Sequence, residues 1–381
     1  MISSLTYGCL LTAATLVAAV ACARPGAPGT ETIVRDTIAE SRRRPDLQAS
    51  PIPAPSIPAS SSGESHFSSV RQLTAGGENA EAYFSADGMR LIFQSARDGR
   101  RCDQQYVMNA DGTGLRRVSN GDGKTTCGYF FANDRKIFFA STHAADTACP
   151  PRPDPSRGYV WGLDPFDIYT ANADGSALRR ITNYGTYTAE GTLSPDGTTI
   201  VFTSLKDGDL DIYTMSVDGS GVRRLTTTPG YDGGAFFSPD GTKIVYRANH
   251  PVDSTELMQY RGLLAQRIIR PNRMEIWTMN ADGSDQRQIT SLGGANFAPS
   301  FTPDGRRIIF SSNYRNPRGP AAQNFDLFLI NSDGSGLEQV TTAPEFDGFP
   351  MFSPDGKKLV WASNRNAQTR GETNIFLAEW R

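Results

Sequence analysis

From about residue 70 onward, short apolar runs alternate with turn-forming residues in a pattern that repeats along the chain. One unit reads Ser194-Pro-Asp-Gly197, Thr199-Ile-Val-Phe-Thr-Ser204, Asp211-Ile-Tyr-Thr-Met215, Asp218-Gly-Ser-Gly221 and Val222-Arg-Arg-Leu-Thr226. Short runs rich in β-branched and aromatic residues, bounded by Asp-Gly turns, predict β-strands. The unit therefore predicts four short strands, A to D, in about 44 residues.

The first turn of this unit occurs six times, which predicts six units. In the second copy Ala132-Asn-Asp-Arg135 replaces Ser-Pro-Asp-Gly. A second Asp-Gly turn recurs in five units, and Gly suits such turns because it tolerates positive φ. Six four-stranded units predict an all-β fold, a six-bladed β-propeller. The aspartates of the first turn are Asp87, Asp134, Asp196, Asp240, Asp304 and Asp355, and those of the second are Asp111, Asp174, Asp218, Asp282 and Asp333.

The spacing of these aspartates shows where the blades differ in length. The distance from each second Asp to the next first Asp is 22 or 23 residues, whereas the distance from first to second ranges from 22 to 42. All large insertions therefore fall between strands B and C. In an up-and-down blade these loops share one face, here named the B–C loop face, and the opposite face is named the A–B turn face. Loops grouped on a rigid scaffold commonly carry binding sites, which favours the B–C loop face.

The ends of the repeat region predict how the ring closes. The last unit contains Asn374-Ile-Phe-Leu-Ala378 but ends at Arg381 without a fourth strand. The segment Phe67-Ser-Ser-Val-Arg-Gln-Leu-Thr74 matches the fourth strand of other units. We expect this N-terminal strand to complete blade 6 and to remove the exposed strand edges.

The repeated Ser-Pro-Asp-Gly, Asp-Ile-Tyr and Asp-Gly-Ser-Gly motifs resemble the PD40 (WD40-like) repeats of the TolB-type propeller family, over about 310 of the 381 residues. The resemblance implies a periplasmic or surface binding protein, because the name-giving member serves a cell-envelope complex. The N-terminal α/β domain of that member is absent here, and a linker stands in its place.

The N-terminal residues predict export. Residues 1–22 contain an apolar run that ends in Ala19-Val-Ala21, a signal-peptidase type of site, followed by Cys22 as in a lipobox. We expect a lipoprotein anchored to a membrane through Cys22; a cleaved soluble form and a retained anchor are the alternatives. Residues 23–65 are rich in Pro, Ala and Ser and predict a flexible linker, and residues 66–381 form the propeller. The 38 Lys and Arg nearly balance the 40 Asp and Glu, so nucleic acid is not an expected partner.

Aligning the units predicts two sets of polar residues at the channel mouth of the B–C loop face. One set ends strand B: Arg97, His143, Lys206, His250, Tyr314 and Arg365. The other begins strand A: Asn79, Thr126, Thr188, Asp232, Asn296 and Asp347, with Glu81 and Glu190 two residues further on. Such residues either line a solvated tunnel or bind a ligand or peptide. His143 and His250 lie two blades apart without a marked third ligand, so we predict neither a metal nor a cofactor.

Three cysteines follow the signal region, and all three are assigned to the B–C loop face. In an oxidising compartment we expect one disulfide, with Cys127 and Cys149 as the favoured pair because it would staple the blade 2 insertion. Cys102 is the alternative partner, and other pairings stay open.

The two long insertions predict partner-binding loops. Residues 144–165 include Tyr159 and Trp161 in a Pro-rich stretch. Residues 251–273 include a short amphipathic helix, capped by Ser254, that presents Leu257, Tyr260, Leu263 and Leu264. These apolar residues either pack on the propeller or contact a partner.

No enzyme motif is found: the chain lacks a Gly-x-Ser-x-Gly elbow, a His-Glu-x-x-His helix and a phosphate loop. We therefore predict a non-catalytic scaffold of the periplasm that docks a cell-envelope protein or peptide on the B–C loop face. The alternative is an enzyme acting on a saccharide or peptide at the channel mouth.

Overall fold

Each repeat folds into four antiparallel strands in the order A-B-C-D, with strand A nearest the channel. The structure is a computed structural model that describes residues 56–57, 64–315, 324–344 and 346–381. Cys22 and the predicted signal segment lie outside these residues, as do 23–55 and 58–63 of the linker. The predicted six-bladed β-propeller is confirmed, and residues 49–381 form one compact unit.

The strands of the first three blades follow the sequence repeats closely. Blade 1 contains Glu78–Phe84, Arg90–Ala96, Gln104–Asn109 and Arg116–Arg117. Blade 2 contains Thr125–Phe131, Lys136–Ser141, Asp167–Asn172 and Arg179–Arg180. Blade 3 contains Thr188–Leu193, Thr199–Ser204, Asp211–Ser216 and Arg223–Arg224.

The other three blades repeat the same plan. Blade 4 contains Tyr231–Phe237, Lys243–Asn249, Glu275–Asn280 and Arg287–Gln288. Blade 5 contains Asn296–Phe301, Arg307–Ser312, Asp326–Asn331 and Glu338–Gln339. Blade 6 contains Asp347–Phe352, Lys358–Ser363, Asn374–Trp380 and, as its strand D, Phe67–Gln72.

The predicted closure of the ring is confirmed by this last strand. Val70 pairs with Ala378 in an antiparallel register, and the Thr74 hydroxyl donates to Asn374 Oδ1 at 3.0 Å. Phe67 stacks on Trp361 of strand B with ring centroids 5.2 Å apart. The two ends of the repeat region are therefore held together by a ladder and by packing, and the short strand Ser56–Ile57 pairs on its outer side.

The apolar core lies between neighbouring blades rather than at the axis. Strand B supplies fully buried residues such as Phe202 and Phe310, and one cluster joins Leu327 of blade 5 to Leu359 of blade 6. The glycine of each C–D turn approaches the preceding blade closely. At Gly175, which has φ of 88°, a Cβ would collide with the Val118 carbonyl. Glycine is needed there for packing as well as for the turn.

The Asp-Ile-Tyr motif has a structural role in holding strand D. Asp211 begins strand C of blade 3, accepts hydrogen bonds from Arg224 at 2.6 Å and Thr226 at 3.2 Å, and is fully buried. Burial raises the pKa of Asp211 to about 6 despite the neighbouring Arg224. The aspartate of this motif therefore fastens strand D to strand C through hydrogen bonds.

The two long insertions pair with one another. Trp161–Gly162 of blade 2 forms a two-stranded sheet with Ile268–Ile269 of blade 4, and the Leu163 amide extends it by donating to the Arg267 carbonyl at 2.8 Å. We call residues 150–164 and 252–273 the arch; it also contains the 3-10 turn Pro155–Arg157 and the helix Ser254–Leu264. Asp253, not Ser254, caps this helix, because its side chain accepts from the Thr255 and Glu256 amides. Among the described residues, no helix is both long and apolar enough to span a bilayer.

Candidate functional site

Every strand A contains a one-residue bulge that turns a side chain towards the axis. The bulged register appears in all six A–B pairs, and the bulge residue has φ between 51° and 60° in each blade. Together these residues line an axial cavity of about 20 Å³, room for about one water molecule. The axial ring consists of Glu81, Cys127, Glu190, Gly234, Ala298 and Phe349.

A buried ion pair crosses this ring. Arg247 comes from strand B of blade 4 and forms an ion pair with Glu190 of blade 3, and both side chains contact the Tyr231 hydroxyl. Arg247 reaches the axis because strand A beside it is Gly233-Gly234, where a Cβ at Gly234 would collide with the guanidinium. Glu190 also accepts from Thr203 at 2.7 Å and from the Gly234 amide at 2.8 Å. Both carboxylate oxygens of Glu190 therefore accept hydrogen bonds, which a buried charge requires.

Glu81 lies in the same ring without an arginine partner. Its Oε2 atom is enclosed and makes no hydrogen bond to a described residue. Burial raises the pKa of Glu81 to about 7, and the negative charge of Glu190 adds to this rise. Burial also raises the pKa of the neighbouring Cys127 thiol well above its usual value, so the thiol stays protonated and is a poor nucleophile.

Beyond the axial ring, the channel opens on the A–B turn face into a cavity of about 580 Å³, which we call the bowl. Its apolar lining includes the half-buried side chains Tyr129, Phe236 and Met351 near the ends of the A strands. Tyr83 contacts both Tyr129 and Phe236, with ring centroids 5.5 Å and 5.7 Å apart. Exposed prolines of the first turns line the rest of the cavity: Pro195, Pro239, Pro303 and Pro354.

The residues that end strand B each contact strand C of their own blade. They are half-buried, and each lies against an aromatic residue of strand C in its own blade. His143, for example, lies 4.2 Å from Tyr169 between ring centroids, and the Lys206 ammonium lies 4.9 Å from the Tyr213 ring. The six pairs are Arg97 with Tyr106, His143 with Tyr169, Lys206 with Tyr213, His250 with Trp277, Tyr314 with Phe328 and Arg365 with Phe376.

The residues that begin strand A are buried, so their predicted position at a solvated mouth is wrong. Asn79, Asp232, Asn296 and Asp347 have no exposed surface. Their side chains hold neighbouring segments: Asn296 donates to the Met274 carbonyl at 2.7 Å, and Asp347 accepts from Arg365 at 2.8 Å. Asp232 accepts from His250 at 2.9 Å; burial opposes protonation of this histidine, but the hydrogen bond to Asp232 gives its pKa a net rise.

In blade 2 the equivalent position is Thr125 rather than Thr126. Thr125 pairs with Ser141 as Thr188 pairs with Ser204. The turn Ala132–Arg135 has the same length as the other first turns, but Asn133 takes the position that Asp196 has in blade 3. Counting back from Asp134 therefore arrives one residue too far along the strand.

The favoured disulfide pairing is also wrong. Cys102 bonds Cys149, with Cα atoms 5.8 Å apart, and Cys127 is free and buried. The one-residue shift in strand A of blade 2 explains the difference: Cys127 is the bulge residue and faces the axis instead of the loops. The disulfide joins the B–C loop of blade 1 to the insertion of blade 2.

The predicted partner-loop residues divide into two groups. Leu257, Tyr260 and Leu263 are half-buried, and Tyr260 packs on a cluster that includes Leu210 and Ile269, so this helix face rests on the propeller. Tyr159 is 71% exposed, whereas Trp161 is half-buried and lies over Arg247, 5.1 Å from its guanidinium carbon. The arch therefore covers Arg247 on the B–C loop side of the axial ring.

The sequence reasoning missed Arg247 and the axial position of Cys127. Two signals were available: Gly233-Gly234 interrupts a strand, and Arg247 stands where the other B strands carry Gln94, Ala140, Thr203, Ser311 or Ala362. Glycine beside a buried arginine indicates that a large side chain crosses the strand. Across the parts of the chain that the structure describes, no three His, Cys, Asp or Glu side chains are grouped as metal ligands.

Comparison with known proteins gives the same architecture. The TolB beta propeller domain (PD40) family matches residues 162–261. The Tol-Pal system protein TolB of Nitratidesulfovibrio vulgaris is 26% identical over 130 residues, which cover 25% of this chain and 29% of that protein. A structure assigned as a TolB from Agrobacterium tumefaciens superposes with a TM-score of 0.53 and 19% identity, covering 80% of this chain and 90% of the other.

This chain is a six-bladed β-propeller in which residues 162–261 match the TolB beta propeller domain family. An uncharacterised protein of Agrobacterium fabrum is 32% identical over 95 residues, or 25% of this chain and 30% of that protein. The matches thus span less than a third of the length of these curated relatives. A gluconolactonase from Xanthomonas campestris has the same fold, with a TM-score of 0.56, 14% identity and coverage of 87% and 99% of the two chains. TolB-like propellers therefore share their architecture with enzymes, and the fold alone does not assign an activity.

Proposed function

We propose that this TolB-like propeller is a non-catalytic binding protein of the cell envelope that holds a protein or peptide segment in the bowl. The bowl carries the proposal: it is an open cavity of about 580 Å³ with an aromatic floor, within the size range of known ligand pockets. The arch covers Arg247 on the opposite face, so the bowl is the better site than the B–C loop mouth. Half-buried aromatic and Met side chains suit an apolar side chain of a partner segment.

The test compares two substitutions in one turn. Ala86 is exposed and lines the bowl, whereas Met89 is exposed in the same turn but does not line it. Peptides selected from a displayed library on the wild type are expected to lose at least tenfold in affinity with Ala86→Trp, because the indole fills the cavity, and to bind Met89→Trp normally. Fluorescence polarisation measures both. Equal binding to all three proteins would place the peptide site elsewhere.

The enzymatic alternative has less support from the geometry. Glu190 is held by Arg247 and Asp232 by His250, and His143 lies against Tyr169 in another blade. Glu81 is the axial carboxyl with a raised pKa, but it lies in a cavity of about 20 Å³ that has no room for a sugar ring. Turnover of a saccharide or a lactone by the wild type, lost in Glu81→Gln, would favour the enzyme instead.

Export and lipidation belong to the same proposal. They are supported by Ala19-Val-Ala-Cys22 and by the relationship to a Tol-Pal system protein. Metabolic labelling with a palmitate analogue is expected to mark the wild type but not Cys22→Ser. An unlabelled wild type that fractionates with soluble proteins would remove the anchor from the proposal.

A further inference from the structure

The outer surface of the arch carries several arginines that form no ion pair with the residues that the structure describes. The arch, residues 150–164 and 252–273, contains six arginines and four carboxylates. Arg152 pairs with Glu78, and Arg273 pairs with Glu256. The other four form no ion pair with the residues that the structure describes, although Asp154 lies near the first of them: Arg157, Arg261, Arg267 and Arg270.

Hydrogen bonds hold Arg157 and Arg270 close to each other on the arch. The Arg270 guanidinium donates to the Arg157 carbonyl at 3.1 Å, and Arg157 itself bonds to Gln266. Arg261 lies three residues after Met258 on the helix, and both side chains are exposed, whereas Tyr260 is half-buried. All four arginines are exposed, whereas other arch residues pack in one cluster with Leu210 and Tyr231 of the propeller: Trp161, Leu163, Tyr260, Leu264 and Ile269.

Exposed apolar side chains stand among these charges. Tyr159 is 71% exposed, Met258 is 69% exposed and Val252 is 80% exposed. They stand singly, on a loop, on the helix and before the helix, instead of forming the continuous patch that a protein partner usually covers. Arginine combined with scattered aromatic and aliphatic side chains suits the headgroup region of a membrane, where phosphates bind the guanidinium groups.

We propose that the outer surface of the arch binds an anionic phospholipid membrane. Arg157, Arg267 and Arg270 contact headgroup phosphates, and Tyr159 and Met258 enter the headgroup layer. Arg100 and Arg101, in the loop tied to the arch by the Cys102–Cys149 disulfide, are exposed on the same face and extend the basic surface. The bowl, on the opposite face, then points away from the membrane. This proposal does not depend on what the bowl binds.

The experiment uses residues 49–381, a compact unit with a closed ring and its own core, so that the N-terminal apolar segment cannot anchor it. Co-sedimentation with phosphatidylcholine vesicles is compared with co-sedimentation with vesicles that also contain phosphatidylglycerol. We expect binding to the anionic vesicles only, weakened by added salt because the attraction is electrostatic. Arg267→Gln/Arg270→Gln should lower the affinity about 25-fold, at about fivefold per arginine near an anionic surface.

The control is Arg116→Gln/Arg179→Gln, which removes the same charge from exposed positions on the outer strands of blades 1 and 2. It should bind like the wild type, and unchanged melting temperatures show that both variants are folded. Equal loss in both variants would show an effect of net charge and overturn the proposal. It would also be overturned if the wild type ignored lipid charge, or bound soluble polyglutamate but not vesicles. Peptide binding in the bowl should be unaffected by the arch variant.

Discussion

At the scale of single residues, the axial ring depends on one backbone device used six times. A left-handed bulge residue turns its side chain inwards, and the blades differ in what they place there, from Gly234 to Phe349. Glu190 is balanced by Arg247, but Glu81 is not. Burial without a neighbouring cation favours the protonated form of a carboxyl group over the charged form. The free energy of unfolding should therefore depend on pH through Glu81.

Replacing Glu81 with Gln tests this directly, because Gln resembles the protonated carboxyl. The pKa of Glu81 rises from 4.5 to about 7 on folding, through burial and the charge of Glu190. The native state therefore binds the Glu81 proton more tightly than the unfolded state does. This tighter binding stabilises the native state fully below pH 4.5, and the stabilisation is lost as pH rises through 7. We expect Glu81→Gln and the wild type to have equal free energies of unfolding at pH 4.5, and the variant to be more stable by about 3 kcal/mol at pH 8.

Urea unfolding at several pH values measures this difference. Glu338→Gln is the control, because Arg307 lowers the pKa of Glu338 and so its substitution should not favour the variant at high pH. Parallel stability curves for the wild type and Glu81→Gln would contradict a raised pKa at Glu81.

At the scale of elements, the B–C loops are joined to each other across the face. The Cys102–Cys149 disulfide links the loops of blades 1 and 2, and Trp161–Gly162 with Ile268–Ile269 links the insertions of blades 2 and 4. Loops of this length would otherwise lose much conformational entropy on ordering. The cross-links therefore allow long insertions to form a defined surface.

Breaking the Cys102–Cys149 disulfide should destabilise the protein. Replacing Cys127, which is not part of the disulfide, should leave the bond intact. The bond joins residues that are 47 positions apart in the sequence. A disulfide of this kind is expected to stabilise the folded protein by about 2 to 4 kcal/mol. We expect Cys102→Ala and Cys149→Ala to lower the free energy of unfolding by that amount and to abolish its sensitivity to reductant. The control Cys127→Ala should keep that sensitivity.

Thiol labelling of residues 49–381, denatured without reductant, provides a second measurement. Of the three cysteines in this unit, one should react, and peptide mapping should place the label on Cys127. A label on Cys102 would restore the pairing of Cys127 with Cys149.

The elements that the sequence predicts well are those whose signal lies within one repeat. The turn aspartates, the position of the insertions after strand B and the match of Phe67–Thr74 to a strand D each depend on local pattern. The pairing of Trp161 with Ile269 joins segments more than a hundred residues apart without any repeat, so no local pattern marks it. The disulfide prediction failed for a local reason. Asp134 lies one position later in its turn than the other aspartates do, so the alignment assigned Cys127 to the wrong side of its strand.

At the scale of the whole molecule, the propeller has two unlike faces and one seam. The bowl opens on the A–B turn face and the arch lies on the B–C loop face, so a ligand and a second surface can be bound independently. The seam in blade 6 joins Phe67–Gln72 to Asn374–Trp380 and is the place where the ring can open. Both faces depend on this seam, because each is assembled from several blades.

Removing the N-terminal strand Phe67–Gln72 should therefore abolish cooperative folding. A chain that begins at residue 74 leaves Asn374–Trp380 as an open strand edge and uncovers Trp361, which Phe67 covers in the intact ring. Open, apolar edges pair with other chains, so we expect aggregation and a broad, non-cooperative unfolding transition in circular dichroism. A chain that begins at residue 64 keeps the strand and the ion pair between Glu64 and Arg365, and should unfold like residues 49–381.

A peptide of residues 64–74, added to the shortened chain, tests whether the loss of cooperativity comes from the missing strand alone or from wider misfolding. If the ring needs only this strand, the peptide should restore a single cooperative transition and, with it, vesicle binding by the arch. The restored stability should rise with peptide concentration, because the peptide binds the folded ring and not the unfolded chain. Cooperative unfolding of the shortened chain without the peptide would show that five blades and three further strands hold the ring by themselves, and the seam would then have no role in keeping the two faces assembled.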